Sequence, residues 1–367
     1  MAQSNPFTIR RQSSGGGAPS YISSMSPYQV RALSGSYAPT NGTSSAVSAM
    51  HAQWTTLGDT GTNIMIPWSG GPKSISGTKL WAHGGGHGDG QNNGLYSFDF
   101  SGTTRPTGWL EEYTGVPGIT SDSSPGSAGP PPSIHTYDWM VDTGTHIYRM
   151  GGARYNSGGV CGAWRYTKAT GAWLRLPSIP VGGAQGSALY SAAHGKILGL
   201  ERETSYNGYA FYRIATNDWS AMRYVSTQWL NTPSAAYDPA TNTGLMVSDT
   251  NGYSATSFSF AINWDAETIT QSANPVAAMG VGASIVWDPT RQRYWVFGGG
   301  ETFGTLHEIN PVGWVVTPHT LTGDVPSLQP EATTTGSLGR WVFMDSWRAI
   351  GTVMSRNGPA CVIRLPA

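Results

Sequence analysis

The densest group of side chains able to do chemistry lies in the glycine-rich run of residues 80–99. It contains His83 and His87, four residues apart, with Asp89 just beyond them. Histidines at this spacing bind a metal together when a helix brings them to one face. The glycines around them predict a turn instead, in which His87 and Asp89 hydrogen-bond the backbone. We therefore expect no metal site here, and no cofactor elsewhere.

Carboxylates form the second group that could do chemistry. Glu111, Glu112, Glu201 and Glu203 lie near predicted strand ends. Two carboxylates flanking a sugar can hydrolyse a glycosidic bond, although a solvated rim is the commoner place for such residues. The sequence contains no Gly-x-Ser-x-Gly elbow and no phosphate-binding loop. We expect a protein that is not an enzyme.

Two predicted hairpins share one sequence pattern, and this repeat indicates which elements position the residues above. Residues 234–247 and 283–297 both contain an apolar run, a turn that opens with Asp-Pro, and a second apolar run. Aligning the second run of each unit gives six positions, about 50 residues apart: Leu80, Ile147, Ile197, Leu245, Trp295 and Ile350. Six strand-rich units of this length predict an all-β fold, a six-bladed β-propeller.

Three of the six units carry a further pattern, in which the second strand ends in two or three glycines. Residues 147–152 show it, with an aromatic strand at 164–166 and Trp173 beyond, and residues 295–300 repeat the glycines. This pattern resembles the kelch repeat. The resemblance implies glycines with positive φ at the turn and aromatic rings between the blades. It implies a fold and leaves the function open, because propellers host enzymes, binders and scaffolds.

The chain divides into two parts. Residues 1–50 show no steady period and predict an extended N-terminal arm or linker, and residues 51–367 predict the propeller. The last unit has three strands and then the chain ends. An N-terminal segment, residues 51–57 with Trp54, predicts the missing outer strand, which would close the ring and remove two open sheet edges.

One face of the predicted ring carries the longest loops, because the turns after each second strand and the connections between blades share a face. Their aromatic and amide content suits contact with a partner or a glycan. The candidate contact residues are Trp81, His87, Asp89, Asn92, Tyr155 and Trp164. Plain connection between blades is the alternative for the same loops.

Charge and cysteine content limit the classes of function. The chain has 21 basic and 21 acidic residues and is only 11% charged, which gives no electrostatic attraction to nucleic acid. No apolar stretch is long enough to insert in a membrane. Cys161 and Cys361 fall in units two and six, which are not adjacent, so we expect both thiols to be reduced and buried.

These observations lead to three hypotheses about function. The first is a structural component of a viral particle, a bacteriophage tail or tail-attachment protein made in the host cytoplasm, since neutral, glycine-rich, all-β chains resemble such virion proteins. Its partners would be other copies of itself and neighbouring virion proteins, bound through residues 1–50. The second is a lectin-like propeller that binds a host surface glycan or receptor. The third is a propeller enzyme such as a metal-dependent oxidase.

Overall fold

The computed structural model describes most of the chain in separate stretches. They are residues 17–37, 70–74, 77–84, 93–101, 109–116, 119, 121–154, 162–180, 185–202, 207–226, 231–249, 257–272, 276, 282–297, 304–328, 339–354 and 359–367.

The described elements are almost all strands. At the N-terminal end are α1 (Ser20–Ser23) and β1 (Gln29–Tyr37). Blade one contains β2 (Lys73–Ser74), β3 (Lys79–His83), β4 (Leu95–Asp99) and β5 (Leu110–Tyr113). Next come β6 (Ile134–His135), β7 (Met140–Asp142), β8 (His146–Arg149), β9 (Ala153–Arg154), β10 (Trp164–Thr167) and β11 (Ala172–Arg175), of which β7, β8, β10 and β11 form blade two and β6 pairs with β9.

The remaining blades follow in chain order. Blade three contains β12 (Gln185–Ser191), β13 (Lys196–Arg202), β14 (Asn207–Arg213), β15 (Asp218–Trp219) and β16 (Arg223–Ser226). Blade four contains β17 (Asn231–Asp238), β18 (Thr243–Asp249), β19 (Ser257–Asn263) and β20 (Thr268–Gln271). Blade five contains β21 (Ser284–Asp288), β22 (Arg293–Phe297), β23 (Thr305–Asn310) and β24 (Val315–Thr320), followed by β25 (Thr322–Gly323) and a 3-10 helix, Val325–Leu328. Blade six contains β26 (Trp341–Met344), β27 (Ala349–Thr352) and β28 (Pro359–Arg364), with a 3-10 turn at Asp345–Trp347.

This arrangement confirms the predicted six-bladed β-propeller. The strands of blades two, four, five and six pair antiparallel in chain order, as do β3, β4 and β5 of blade one. Blade three follows the same order from β12 to β15, and β16 pairs with β14. The short strand β2 is the inner strand of blade one, and it pairs in parallel with β7 and β26, the inner strands of the two neighbouring blades. Blades two and six are therefore joined into one ladder through β2 at the centre of the ring.

The inner hairpins form because their turn residues satisfy the backbone locally. In blade five, the Asp288 carboxylate accepts the backbone N–H groups of Thr290 and Arg291, both at 3.1 Å. In blade four, Asp238 accepts the N–H of Ala240 at 2.9 Å. Each turn ends in a residue with positive φ, such as Asn242 at 55°, a conformation that asparagine tolerates well. The recurring Asp in the sequence therefore marks the start of the inner turns in blades four and five.

The buried apolar side chains of the described residues form six clusters, and each cluster fills the seam between two neighbouring blades. Neighbouring residues of one strand therefore face different seams. In β18, Met246 packs toward blade three, whereas Leu245 and Val247 pack toward blade five. Both faces of the sheet are buried, which explains why the strands show little alternation of polar and apolar residues.

Ring closure by an N-terminal outer strand is confirmed, but the strand is not the one expected. Strand β1 pairs antiparallel with β28, with Arg31 opposite Val362 and Ala32 opposite Cys361. It also pairs in parallel with β25. The prediction that residues 51–57 occupy the place beside β28 is thus wrong, and Trp54 itself lies outside the described residues.

Residues 17–37 consequently pack on the propeller itself, within the segment 1–50 that the sequence predicted as an extended arm or linker. Helix α1 places Ile22, which is fully buried, in the seam between blades six and one. The hydroxyl of Tyr21 donates to the carbonyl of Phe100 at 2.6 Å. The apolar residues of this segment have no regular period because they fill an irregular gap rather than form one face of a helix or sheet.

Candidate functional site

The inner strands place one buried polar residue from each of five blades at the same level near the ring axis. Each inner hairpin closes with one residue pair, such as Asp288 opposite Arg293. The residue four positions before the closing pair is polar in blades two to six. We call this set the axial ring: Asp138, Ser187, Ser234, Ser284 and Arg340, all buried.

The Asp138 carboxylate is the centre of this ring. Its Oδ2 forms an ion pair with Lys73 of β2 and accepts a hydrogen bond from the hydroxyl of Ser187. It also accepts the Ser234 hydroxyl at 2.9 Å and the backbone N–H of Ala235 at 3.2 Å. One side chain of blade two is thus bonded to blades one, three and four.

Blades five and six complete the same layer. The hydroxyl of Ser284 accepts the backbone N–H of Gly339 at 2.7 Å. Gly339 has φ of +78°, and a Cβ there would lie 2.6 Å from Asp138 Oδ1 and 2.8 Å from the carbonyl oxygen of Gly71. Only glycine fits this position, because both the backbone conformation and the approach of two oxygens exclude a side chain.

Burial sets the charge state at the axis. Desolvation lowers the pKa of Lys73 and raises the pKa of Asp138, and the attraction between the two groups acts against both shifts. The side chain of Lys73 is 13% exposed and that of Asp138 is fully buried. Both groups are therefore displaced toward their neutral forms.

A second buried polar group lies in the seam between blades one and two. His83, at the end of β3, places Nδ1 2.8 Å from the carbonyl oxygen of Gly94 and Nε2 3.2 Å from a guanidinium nitrogen of Arg149. A carbonyl only accepts, so Nδ1 carries the proton and Nε2 accepts from the arginine. Burial and the Arg149 charge lower the pKa of His83 to about 3. The imidazole is neutral at physiological pH and is positioned as an acceptor rather than as a general base.

The same seam holds the proline-rich connection. Arg149 donates to the carbonyl of Pro132 at 2.8 Å, and the amide of Asn93 donates to the carbonyl of Pro131 at 2.6 Å. Asn93 in turn accepts the N–H of Val116 at 2.7 Å. Buried side chains thus fix the two ends of the connection between blades one and two.

Asp122 provides the negative charge of this seam. It accepts the N–H of Gly162 and the indole N–H of Trp164, both at 2.8 Å, and lies 3.7 Å from Arg175. Desolvation alone would raise the pKa of Asp122, but Arg149, the two N–H donors and Arg175 together hold it below its usual value.

The structure places two of the predicted contact residues away from solvent. Trp81 is 2% exposed and Trp164 is fully buried, both in the cluster between blades one and two. Lys168 lies 4.9 Å from the centre of the Trp81 ring. Both indoles are covered by protein, so they stabilise the seam and have no free face for a sugar. The other predicted contact residues, His87, Asp89, Asn92 and Tyr155, lie outside the described residues.

The predicted carboxylates that the structure describes belong to two blades: Glu111 and Glu112 to β5 of blade one, and Glu201 to β13 of blade three. Glu112 of β5, in blade one, pairs with Lys79 at 3.0 Å and accepts from Ser97. Glu201 is buried near the end of β13, in blade three, and Glu203 lies outside the described residues. Blades one and three are not adjacent, so Glu112 and Glu201 do not form a pair across one seam.

Cys361 lies in β28 as a free, buried thiol, and burial raises its pKa to about 12. Cys161 lies outside the described residues. Within the stretches that the structure describes, no group of three or more His, Cys, Asp or Glu side chains is placed to hold a metal ion. No helix in those stretches is long and apolar enough to cross a membrane.

The axial ring was not among the residues singled out from the sequence, although a signal for it exists. Asp138, Ser187, Ser234 and Ser284 each stand four residues before the Asp or Ser that opens the inner turn. A polar residue at one fixed place in a repeat of apolar strands indicates that equivalent positions meet in space. Lys73 carried no such signal, because β2 has only two residues.

No protein-family model matches the chain, and no curated protein matches it. Among solved structures the chain is similar to YjhT, with a TM-score of 0.54 and 11% identity over 82% of this chain and 94% of that one. A structural genomics protein of unknown function from Bacteroides thetaiotaomicron has a TM-score of 0.35 and 7% identity, over 74% of this chain and 81% of that one. At 11% identity the likeness to YjhT shows the propeller fold alone.

Proposed function

We propose that this protein is a non-enzymatic structural component of a viral particle, a bacteriophage tail or tail-attachment protein that uses its propeller as a rigid module. The observation that carries the proposal is the anchoring of residues 17–37. Strand β1 completes blade six and α1 is buried in the seam between blades six and one. Residues 17–37 therefore give the residues before Gly17 a fixed point of attachment to the propeller.

The axial ring supports a mechanical role. Asp138 forms an ion pair or hydrogen bonds with blades one, three and four. Gly339, which precedes the inner strand of blade six, lies so close to Asp138 that a side chain would not fit between them. Buried hydrogen bonds that link several blades restrict the movement of those blades relative to one another. A propeller fixed at its axis and along all six seams would transmit force without changing shape.

In this proposal the residues before Gly17 bind other copies of the chain and neighbouring virion proteins. Their sequence contains Phe7, Ile9, Arg10 and Arg11, followed by a run of serine and glycine. The proposal assigns the contact with a neighbour to this apolar and basic segment. The proposed location is the virion.

We also propose that the repeats are kelch-like. Gly84 and Gly152 support this, because they follow β3 and β8 with φ of +99° and +129°. A Cβ on either would lie within 2.6 Å of a backbone oxygen.

Mass spectrometry of virus particles purified from the source culture tests the proposed function. The chain should remain with the particles through a high-salt wash, in a fixed ratio to the major structural proteins. Recovery of the chain only from the soluble fraction of the lysate would contradict a structural role in the particle. An unrelated cytoplasmic protein of similar abundance serves as the control for adventitious carry-over.

A further inference from the structure

The Lys73 amine and the Asp138 carboxyl are placed for a reaction with each other. Nζ of Lys73 contacts Oδ2 of Asp138 directly. Nζ is held there by the hydroxyl of Ser187 at 3.2 Å and by the carbonyl of Ala235. Two groups held in contact react with effective concentrations of about 10⁵ M or more.

Burial gives both groups the protonation state that such a reaction needs. Desolvation lowers the pKa of Lys73 and raises the pKa of Asp138. A neutral amine is a nucleophile, whereas an ammonium ion is not. An amine attacks the carboxyl carbon of a neutral carboxylic acid more readily than that of a negatively charged carboxylate.

The second oxygen of Asp138 supports a neutral form. Within the described part of the chain, Oδ1 is buried and has no hydrogen-bond partner. A carboxylate anion with one oxygen buried and unpaired is unfavourable. An amide carbonyl at this position would carry less charge.

We propose that Lys73 and Asp138 become joined by an intramolecular isopeptide bond once the chain has folded. The bond forms between Nζ of Lys73 and Cγ of Asp138, and the Cγ–Oδ2 bond breaks. The amine loses one proton to Oδ2, which already carries the proton of the acid and leaves as water. Oδ1 becomes the carbonyl oxygen of the amide, and no other reactant is required.

Ser187 and Ser234 are placed to assist this step. The Ser187 hydroxyl contacts both Nζ and Oδ2, so it can accept the proton from the amine and pass its own to the departing oxygen. Ser234 and the N–H of Ala235 donate to the same oxygen at 2.9 and 3.2 Å and stabilise charge on it as it leaves. The bond would tie blade one to blade two at the axis, whether or not the protein belongs to a virus particle.

Peptide mapping of the full-length folded protein tests the proposal. After denaturation and digestion, the peptides containing Lys73 and Asp138 should appear as one branched species that lacks one water molecule. The intact chain should show the same deficit relative to its sequence, and a K73R variant should show none. The two chains share both termini, so the comparison is direct.

Lys168 and Asp142 provide a matched control pair. Their ion pair is 2.7 Å long, but the lysine side chain is 24% exposed, and their peptides should remain separate. An S187A variant should contain a smaller fraction of the branched species, since loss of proton transfer slows such steps by about 10²-fold or more. Separate, unmodified Lys73 and Asp138 peptides from the wild-type protein would overturn the proposal. Water loss located at any other residue would overturn it equally.

Discussion

At the axis, a single carboxylate accepts hydrogen bonds from the inner strands of two neighbouring blades. The free edge of β17 presents the N–H of Ala235 toward the axis, and Asp138 accepts it together with the hydroxyls of Ser187 and Ser234. An unpaired backbone N–H at a buried position costs about 1–3 kcal/mol. The axial ring therefore stabilises the centre of the propeller with polar contacts.

Gly339→Ala tests how closely the axis is packed. Alanine at φ of +78° is strained, and its Cβ would lie 2.6 Å from Asp138 Oδ1, so we expect a loss of about 3 kcal/mol or more in the free energy of unfolding. Denaturant unfolding measures it. Gly144→Ala is the control, since Gly144 has φ of +91° with no atom within 4 Å of the added Cβ, and strain alone should cost about 1–2 kcal/mol. Equal losses in the two variants would show that the axis is loosely packed.

At the scale of elements, the seams determine stability, and the N-terminal segment forms part of one seam. Helix α1 has four residues and would not be stable alone. It persists because Tyr21 and Ile22 are buried against blades six and one. The short helix is thus a consequence of packing rather than of helix propensity.

Ile22→Ala measures that contribution. Ile22 is fully buried, so we expect a loss of about 2–5 kcal/mol in the free energy of unfolding. Val312→Ala removes an apolar side chain that is 79% exposed and should change stability by less than about 0.5 kcal/mol. Thermal unfolding of the two variants compares them. A melting temperature unaffected by Ile22→Ala would mean that α1 is not docked in solution.

An ion-pair network joins blades three and four and makes stability depend on pH. Glu267 accepts Arg213 Nε at 2.7 Å and pairs with Lys196 at 3.0 Å. The hydrogen bond from Arg213, together with Lys196, lowers the pKa of Glu267 below its usual value of 4.5, against the opposing effect of burial. A carboxyl whose pKa is lower in the folded state than in the unfolded state stabilises the folded protein at any pH above its unfolded-state pKa. This contribution is lost as the pH falls through the folded-state pKa.

Glu267→Gln should therefore destabilise the protein by about 1–2 kcal/mol at pH 7. The difference from wild type should shrink as the pH falls below 4.5, where the unfolded chain takes up the proton, and should vanish below the lower pKa of the folded state. Asp218→Asn is the control, because Asp218 contacts the same arginine from a half-exposed position and should change stability little. A difference between wild type and Glu267→Gln that stays constant with pH would contradict the assigned network.

At the scale of the whole molecule, the repeats were predictable because their determinants are local. Asp238 and Asp288 start turns that involve only a few neighbouring residues. The sequence therefore indicated six hairpins and, from their number, six blades. It also indicated that the last blade lacks an outer strand.

The strand that fills this place was not predictable from local pattern. Strand β1 contains Gly35 between two serines and has little alternation, and its partner β28 lies at the opposite end of the chain. Residues 51–57, with a tryptophan, matched the repeat better. The axial ring was missed for a related reason, since a buried Asp138 becomes favourable only when several strands converge on it.

Because β1 closes the ring, the choice of truncation decides whether the role of the N-terminus is tested or the propeller is damaged. A chain that begins after residue 37 loses the outer strand of blade six and should be damaged in the propeller itself. A chain that begins at Gly17 keeps α1 and β1 and removes only the residues before the anchored root. Its melting temperature should equal that of the full chain.

The central claim is that an anchored N-terminal segment links copies of a rigid propeller. Light scattering after size exclusion tests it by comparing the solution mass of the full chain with that of the chain beginning at Gly17. We expect the full chain to form a defined oligomer and the chain beginning at Gly17 to be a folded monomer. Identical masses for the two chains at the same concentration would contradict the claim.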